Sequence, residues 1–147
     1  MLKRFAVCGV SNRAIGMFIR PMVQTFADSC QLVGLLDSDQ RRFDVCKSKV
    51  PGIAVVPEFR DDQFGQMLVK AKPDTIIVTS RDDTHVDYIV QALEHNLDVI
   101  TEKPMATTAK DCQRIIEAEA KSLGKVTVTF NYRYSLSYEN QGADFRK

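Results

Sequence analysis

Cysteine patterns that hold metals or form disulfide frameworks are absent from this chain. Cys8, Cys30, Cys46 and Cys112 are scattered, with no C-x-x-C pair and no histidine-rich partner spacing. That excludes a zinc site and a secreted disulfide scaffold, and the four residues read as free thiols in a reducing cytoplasm. Excess charge of one sign is also lacking: 20 Lys and Arg stand against 19 Asp and Glu. No net field then draws the chain toward nucleic acid or an anionic membrane surface. Long hydrophobic runs are missing too. The apolar segment behind Met1-Leu2-Lys3-Arg4 ends in Gly9-Val10-Ser11-Asn12-Arg13, too short for a signal peptide or a membrane span. There is no internal repeat, low-complexity tract or interior linker. The expectation is a cytoplasmic protein that works on small molecules, with neither nucleic acid nor membrane as partner.

With 147 residues and 44% hydrophobic content, the chain fits one globular unit with a real core. Short apolar runs alternate with amphipathic stretches from end to end, the pattern of repeated β-α units and of a mostly parallel sheet covered by helices. Strands are predicted at Phe5 to Val10, Leu32 to Leu36, Ile53 to Val56, Thr75 to Thr79, Leu97 to Ile100 and Lys125 to Phe130. Thr75 to Thr79 reads as the buried central strand. The alternation of Val126, Val128 and Phe130 with Thr127 and Thr129 suits a sheet edge. Helices are predicted at Ile15 to Ala27, interrupted by Pro21, at Asp39 to Lys49, at Phe59 to Lys70, after Thr84 as N-cap, and at Ala106 to Ser122. Together they predict an α/β fold with a doubly wound, six-stranded sheet.

In open sheets of this kind ligands bind outside the carboxyl ends of the strands, and three clusters fall there. The first is Gly9-Val10-Ser11-Asn12-Arg13-Ala14, an imperfect G-x-G-x-x-G with Ser for the second glycine and Ala for the third. Such a turn into a helix binds a pyrophosphate through backbone N–H groups and the positive end of the helix dipole. The Ser11 hydroxyl can donate to a phosphate oxygen. Asp37, ending the second strand, stands where an acidic residue takes the ribose hydroxyls and repels a 2′-phosphate, which favours NAD; Arg41 and Arg42 keep NADP open.

The second cluster is Thr79-Ser80-Arg81-Asp82-Asp83-Thr84-His85, at the switch point where the nicotinamide half of a dinucleotide would cross. Ser80 and Asp82 are placed to touch ribose or amide. His85 reads either as a packing residue of the first helical turn or as a proton shuttle, and His95 as a cation suited to a helix C-terminus. The third cluster is Thr101-Glu102-Lys103-Pro104-Met105. Proline restricts the residue before it, so Lys103 is held extended and free to reach a bound substrate. Beyond the last strand, Asn131-Tyr132-Arg133-Tyr134-Ser135 either lines a pocket or packs against another domain.

With these pieces in place the chain resembles the cofactor-binding half of the Gfo/Idh/MocA oxidoreductases, the relatives of glucose-fructose oxidoreductase and inositol dehydrogenase. The resemblance runs from Phe5 through Ser135 and rests most on Glu102-Lys103-Pro104, the Thr84-His85 helix and Asn131 through Ser135. It implies a Rossmann domain over residues 1–134. It also implies that 135–147 begin the connection to a second, α+β domain absent from this chain. The implied cofactor contacts are Gly9, Val10, Ser11, Asn12, Arg13, Asp37, Ser80, Arg81, Asp82, His85, Glu102 and Lys103. Lys103 doubles as the catalytic residue beside the nicotinamide and the reacting hydroxyl, with a cis bond before Pro104. No metal is expected.

The substrate class implied is a sugar, cyclitol or related polyol, oxidised at a CH–OH group, and the chain alone should bind cofactor without turnover. Two departures stand out: Ser11 for the second glycine, and Ser80-Arg81 where the family reads Thr-Pro. Two other readings compete. A non-catalytic dinucleotide sensor would use the same binding residues, and a methyltransferase would share the glycine turn and the acid but has no use for Lys103. Exposure of the sheet edge with Tyr132 and Tyr134 favours self-association, and a homo-oligomer is expected of the full-length form.

Overall fold

A computed structural model of the chain describes residues 2–130. Six parallel strands form one sheet: β1 (Lys3–Cys8), β2 (Cys30–Leu36), β3 (Glu58–Phe59), β4 (Thr75–Val78), β5 (Asp98–Glu102) and β6 (Val126–Thr129), in the order β3-β2-β1-β4-β5-β6. The order reverses between β1 and β4, so the loops that follow these two strands diverge and leave a crevice at their carboxyl ends.

Alternation along each strand sends side chains to opposite faces, and each face meets helices. On one side Val7, Leu32, Leu35 and Ile77 pack against Ala14, Ile15 and Ile19 of the first helical segment and Phe43 and Cys46 of α2 (Gln40–Lys49). On the other, Ala6, Cys8, Ile76 and Val78 meet α3 (Phe64–Ala71) through Met67 and Leu68. The same face meets α4 (His85–Glu94) through Ile89 and Leu93, and α5 (Ala109–Lys121) through Ile115. The sheet is therefore wound on both faces, as the β-α alternation predicts. β4 is buried along its whole length between β1 and β5, whereas β6 lies at one edge and is only half-buried.

Several expectations need correction. Ile53 to Val56 is not a strand. Gly52 turns the chain with φ +88°, and Ile53–Val55 forms a 3-10 turn that buries Ile53 and leaves Val55 87% exposed. The third strand is the two-residue Glu58–Phe59, paired with Leu35 and Leu36. The following helix begins at Phe64, five residues later than expected, because Phe59 belongs to that strand and Asp61–Gln63 forms another 3-10 turn.

Pro21 does not break the first helix. α1 (Asn12–Ala14) continues through two π-helical turns, Ile15–Ile19 and Pro21–Thr25, and the wider register accommodates a residue that has no N–H to donate. Thr84 stands before α4 without capping it; its hydroxyl lies 2.8 Å from both Ser80 Oγ and the Arg81 carbonyl. Asn131 through Ser135, and the connection expected over 135–147, lie outside the described residues.

Candidate functional site: a divided cleft at the sheet switch point

The glycine turn follows β1 directly. Gly9 has φ +96°, where side chains are strained. A Cβ at this position would also lie 2.3 Å from Ser80 N. Only glycine lets the turn lie flat against the loop after β4. Thr79 fixes the contact, its N–H donating to the Cys8 carbonyl at 2.8 Å and its hydroxyl to the Gly9 carbonyl at 2.6 Å.

Ser11 occupies the second glycine position with φ −78° and ψ 164°, an extended geometry open to any residue, and its Oγ accepts from Ala14 N at 3.1 Å. The departure from glycine thus provides an N-cap. The hydroxyl proton remains available to a ligand.

Asp37 is buried at the end of β2. Its Oδ2 accepts from Val10 N at 2.7 Å, its Oδ1 accepts from Asp39 N at 2.9 Å, and Arg42 Nε lies 3.6 Å from Oδ1. A carboxylate offers about four acceptor sites, so further donors can still be met. Gly9, Ser11, Asp37, Arg42, Thr79 and Ser80 help to line a cleft of about 470 Å³, together with Asp61, Arg81 and Tyr88. Arg81 is ion-paired with Asp83 at 2.8 Å on the exposed rim. Tyr88 packs on Phe64 with ring centroids 5.5 Å apart, and burial pushes its phenol up to about 12, so it presents a protonated hydroxyl at neutral pH.

A second cavity of about 250 Å³ shares Ser11, Thr79 and Ser80 with the first and is completed by Arg13, Asp82, His85, Glu102 and Lys103. Glu102 is buried at the end of β5. Arg13 Nε lies 3.0 Å from its Oε1, and the Thr129 hydroxyl donates to the same oxygen at 3.1 Å. Lys103 is exposed on the cavity wall and precedes a cis peptide bond to Pro104, the isomer that the resemblance implies. His85 is 1% exposed, and both ring nitrogens face carbonyl oxygens, Nδ1 that of Pro104 at 2.9 Å and Nε2 that of Ser80 at 3.1 Å.

Most of the residues expected from the sequence meet at this double cleft. Two stand apart from both cavities. Val10 is buried with its N–H donated to Asp37, and the Asn12 side chain accepts from Lys49 Nζ at 2.8 Å on the flank toward α2. Arg41 is engaged by Asp39 at 2.9 Å. Asp61 and Tyr88 were not singled out by the sequence, and Thr79 entered only as the first residue of the cluster after β4, with no role of its own. Tyr88 follows His85 by one helical turn, the spacing that could have found it, whereas Thr79 is recognisable only once β1 and β4 are known to be neighbours.

The cysteines Cys8, Cys30, Cys46 and Cys112 are free thiols, and burial pushes Cys8, Cys30 and Cys46 above the ordinary thiol range. No cluster of metal-ligating side chains occurs among the described residues, and none of their helices is long and apolar enough to cross a membrane.

The order of the sheet, the Gly9 turn and the acid closing β2 agree with a comparison of sequence families. Residues 3–130 match the model described as oxidoreductase family, NAD-binding Rossmann fold. The chain belongs to the Gfo/Idh/MocA oxidoreductase family. Among relatives of this family, the protein named "Putative oxidoreductase YteT" from Bacillus subtilis (strain 168) is 57% identical over 134 residues, 91% of this chain and 31% of its own length. An inositol 2-dehydrogenase from Salmonella paratyphi B is 46% identical over 67 residues, 44% of this chain and 20% of that protein. The chain therefore spans about a third or less of these relatives.

Among solved structures, scyllo-inositol dehydrogenase from Lactobacillus casei, with bound NAD(H) and scyllo-inositol, superposes with a TM-score of 0.79 at 20% identity. The match covers 99% of this chain and 42% of that one. Gfo/Idh/MocA membership makes the chain an NAD-binding oxidoreductase domain related to inositol dehydrogenases.

Proposed function

We propose that the chain is the cofactor-binding part of a dehydrogenase that oxidises a CH–OH group of a cyclitol, sugar or related polyol. The observation that carries this reading is the sharing of Ser11, Thr79 and Ser80 by two adjoining cavities, one bounded by Asp37 and the other by Lys103. An extended dinucleotide fits such a divided cleft. Adenosine would lie toward Asp37 and Tyr88, the pyrophosphate over the Gly9 turn and Ser11, and the nicotinamide toward Ser80, Asp82 and Lys103. The flat Gly9 turn, which a Cβ would obstruct, supports the fit.

When bound, the nicotinamide supplies the hydride acceptor. The chain's own residues do the rest. The Lys103 ammonium, exposed on the wall of the second cavity, donates a hydrogen bond to the substrate oxygen and stabilises negative charge developing there. Glu102, held by Arg13 and Thr129, anchors the strand end from which Lys103 projects. Asp37 favours NAD by offering a carboxylate to ribose hydroxyls and repelling a 2′-phosphate. Residues 1–134 serve as the nucleotide domain, and 135–147 lead toward a substrate domain that supplies the proton acceptor; the chain alone binds NAD without turnover.

Calorimetric titration of the purified chain tests this reading. Heat with NADH, a weaker response with NADPH and none with S-adenosylmethionine are expected, together with no NADH formation from inositol and NAD⁺. Absence of binding to both pyridine nucleotides overturns the proposal, and turnover by the chain alone overturns its last part. The sensor reading is separated by Lys103→Ala in a protein that joins this chain to a substrate domain. A dehydrogenase loses kcat by orders of magnitude, and a sensor keeps its response.

A further inference from the structure

The His85 ring stands between two loops that the proposed reaction needs in register. It opens α4, is 1% exposed, and forms part of the wall of the second cavity. Its Nε2 lies 3.1 Å from the Ser80 carbonyl, in the loop after β4 that presses against Gly9. Its Nδ1 lies 2.9 Å from the carbonyl of Pro104, the residue bonded to Lys103. Among the described residues, His85 is the side chain that hydrogen-bonds to the Lys103–Pro104 segment. With both ring nitrogens turned to backbone carbonyls, the imidazole has no acceptor or donor left to offer a ligand. A neutral imidazole carries one N–H and donates to one of these carbonyls; the Nδ1–H tautomer, on the shorter contact, is the one that holds the Pro104 side.

We propose that His85 is a positioning residue: from the start of α4, its Nδ1–H donates to the Pro104 carbonyl, braces the Lys103–Pro104 loop beside the Ser80 loop and so sets where the Lys103 ammonium stands in the cleft. The inference rests on the reading of Lys103 as the residue beside the nicotinamide. The physical basis is the steep dependence of transition-state contacts on placement, where an error of about 1 Å costs about 10²-fold. A buried ring with two carbonyl partners is stiffer than the exposed lysine stem that depends on it.

Competitive acetylation of lysines, read peptide by peptide in a mass spectrometer at saturating NADH, separates the two claims because a change in affinity drops out. In the wild-type chain NADH should slow Lys103 acetylation by about tenfold, a difference of about 1.4 kcal/mol. If it does not, the Lys103 reading fails, whatever His85 does. Given that protection, His85→Asn, whose amide nitrogen can replace Nδ1 toward Pro104, should retain it. His85→Gln, whose amide reaches only toward Ser80, should lose most of it, and Lys110 and Lys125 should react alike in all three proteins. Circular dichroism identifies which variants fold, and the Asn and Gln pair keeps the test open if a fully apolar replacement does not. Equal protection in the Asn and Gln variants, or loss in both, overturns the brace.

Discussion

Asp37 accepts a 2.7 Å hydrogen bond from the Val10 backbone N–H, so the acid that closes β2 also fastens the glycine turn after β1. A single carboxylate thus shapes the phosphate loop and presents charge to the ribose. The two roles separate in Asp37→Asn, whose side-chain oxygen can still accept from Val10 while the charge is gone. The ratio of NADPH to NADH dissociation constants should fall by about tenfold. Paired fluorescence titrations check this, and an unchanged ratio would show that the discrimination lies elsewhere.

Gly9→Ala should be far more damaging than an ordinary loop substitution. The new Cβ would lie 2.3 Å from Ser80 N, at a φ of +96°. Overpacking costs about 1–3 kcal/mol and an unfavourable φ adds a similar amount. NADH binding should vanish and the melting temperature drop by several degrees; a variant that melts and binds like the wild type would show that the two loops are not in contact.

Thr75 offers the opposite case. Its hydroxyl is buried in β4 with no hydrogen-bond partner. Thr75→Val keeps the branched shape and removes the orphan group, so stability should rise by about 1 kcal/mol, or about 2–4 °C in melting temperature. Thermal melts monitored by circular dichroism decide it, and a lower midpoint would mean that the hydroxyl is satisfied in solution.

At the amino end of the sheet, Lys3 Nζ lies 3.0 Å from Asp98 Oδ2, and this bond holds the Asp98 carboxyl below its ordinary range. A carboxyl depressed in the folded state contributes stability above its unfolded pKa of about 3.9, and that contribution fades as pH falls below it. Both side chains are about half exposed, so the pair is worth no more than about 1 kcal/mol. Lys3→Met should lower stability at pH 7 by that amount or less and cost less as the pH is lowered well below about 3.9. Urea melts at neutral and at acid pH check the sign.

The strands with dense β-branched runs, such as Thr75–Val78, were legible in the sequence because burial on both faces requires continuous apolar residues. Ile53 to Val56 is likewise apolar, yet only Ile53 is fully buried, with Val56 packed half-buried against the core, and the outer strand paired with β2 is the less apolar Glu58–Phe59. Local pattern cannot tell a buried run from one turned outward after a left-handed glycine. The clusters around Gly9, Ser80 and Lys103 were legible because each follows a strand end. Asn12 illustrates the limit: it lies inside the glycine turn by sequence, but its side chain goes to Lys49 on the flank. Which way a loop side chain turns depends on neighbours distant along the chain.

Glu102 receives Arg13 from the first helical segment and Thr129 from the final strand. The lysine's mooring is therefore assembled from the beginning, the later middle and the far end of the described fold. A free chain ending ahead of residue 126 would keep the strands at the sheet's centre but lack the Thr129 part of this anchorage. It should bury Phe43 and Phe64 as the longer chain does while leaving the redox corner loose to amide exchange.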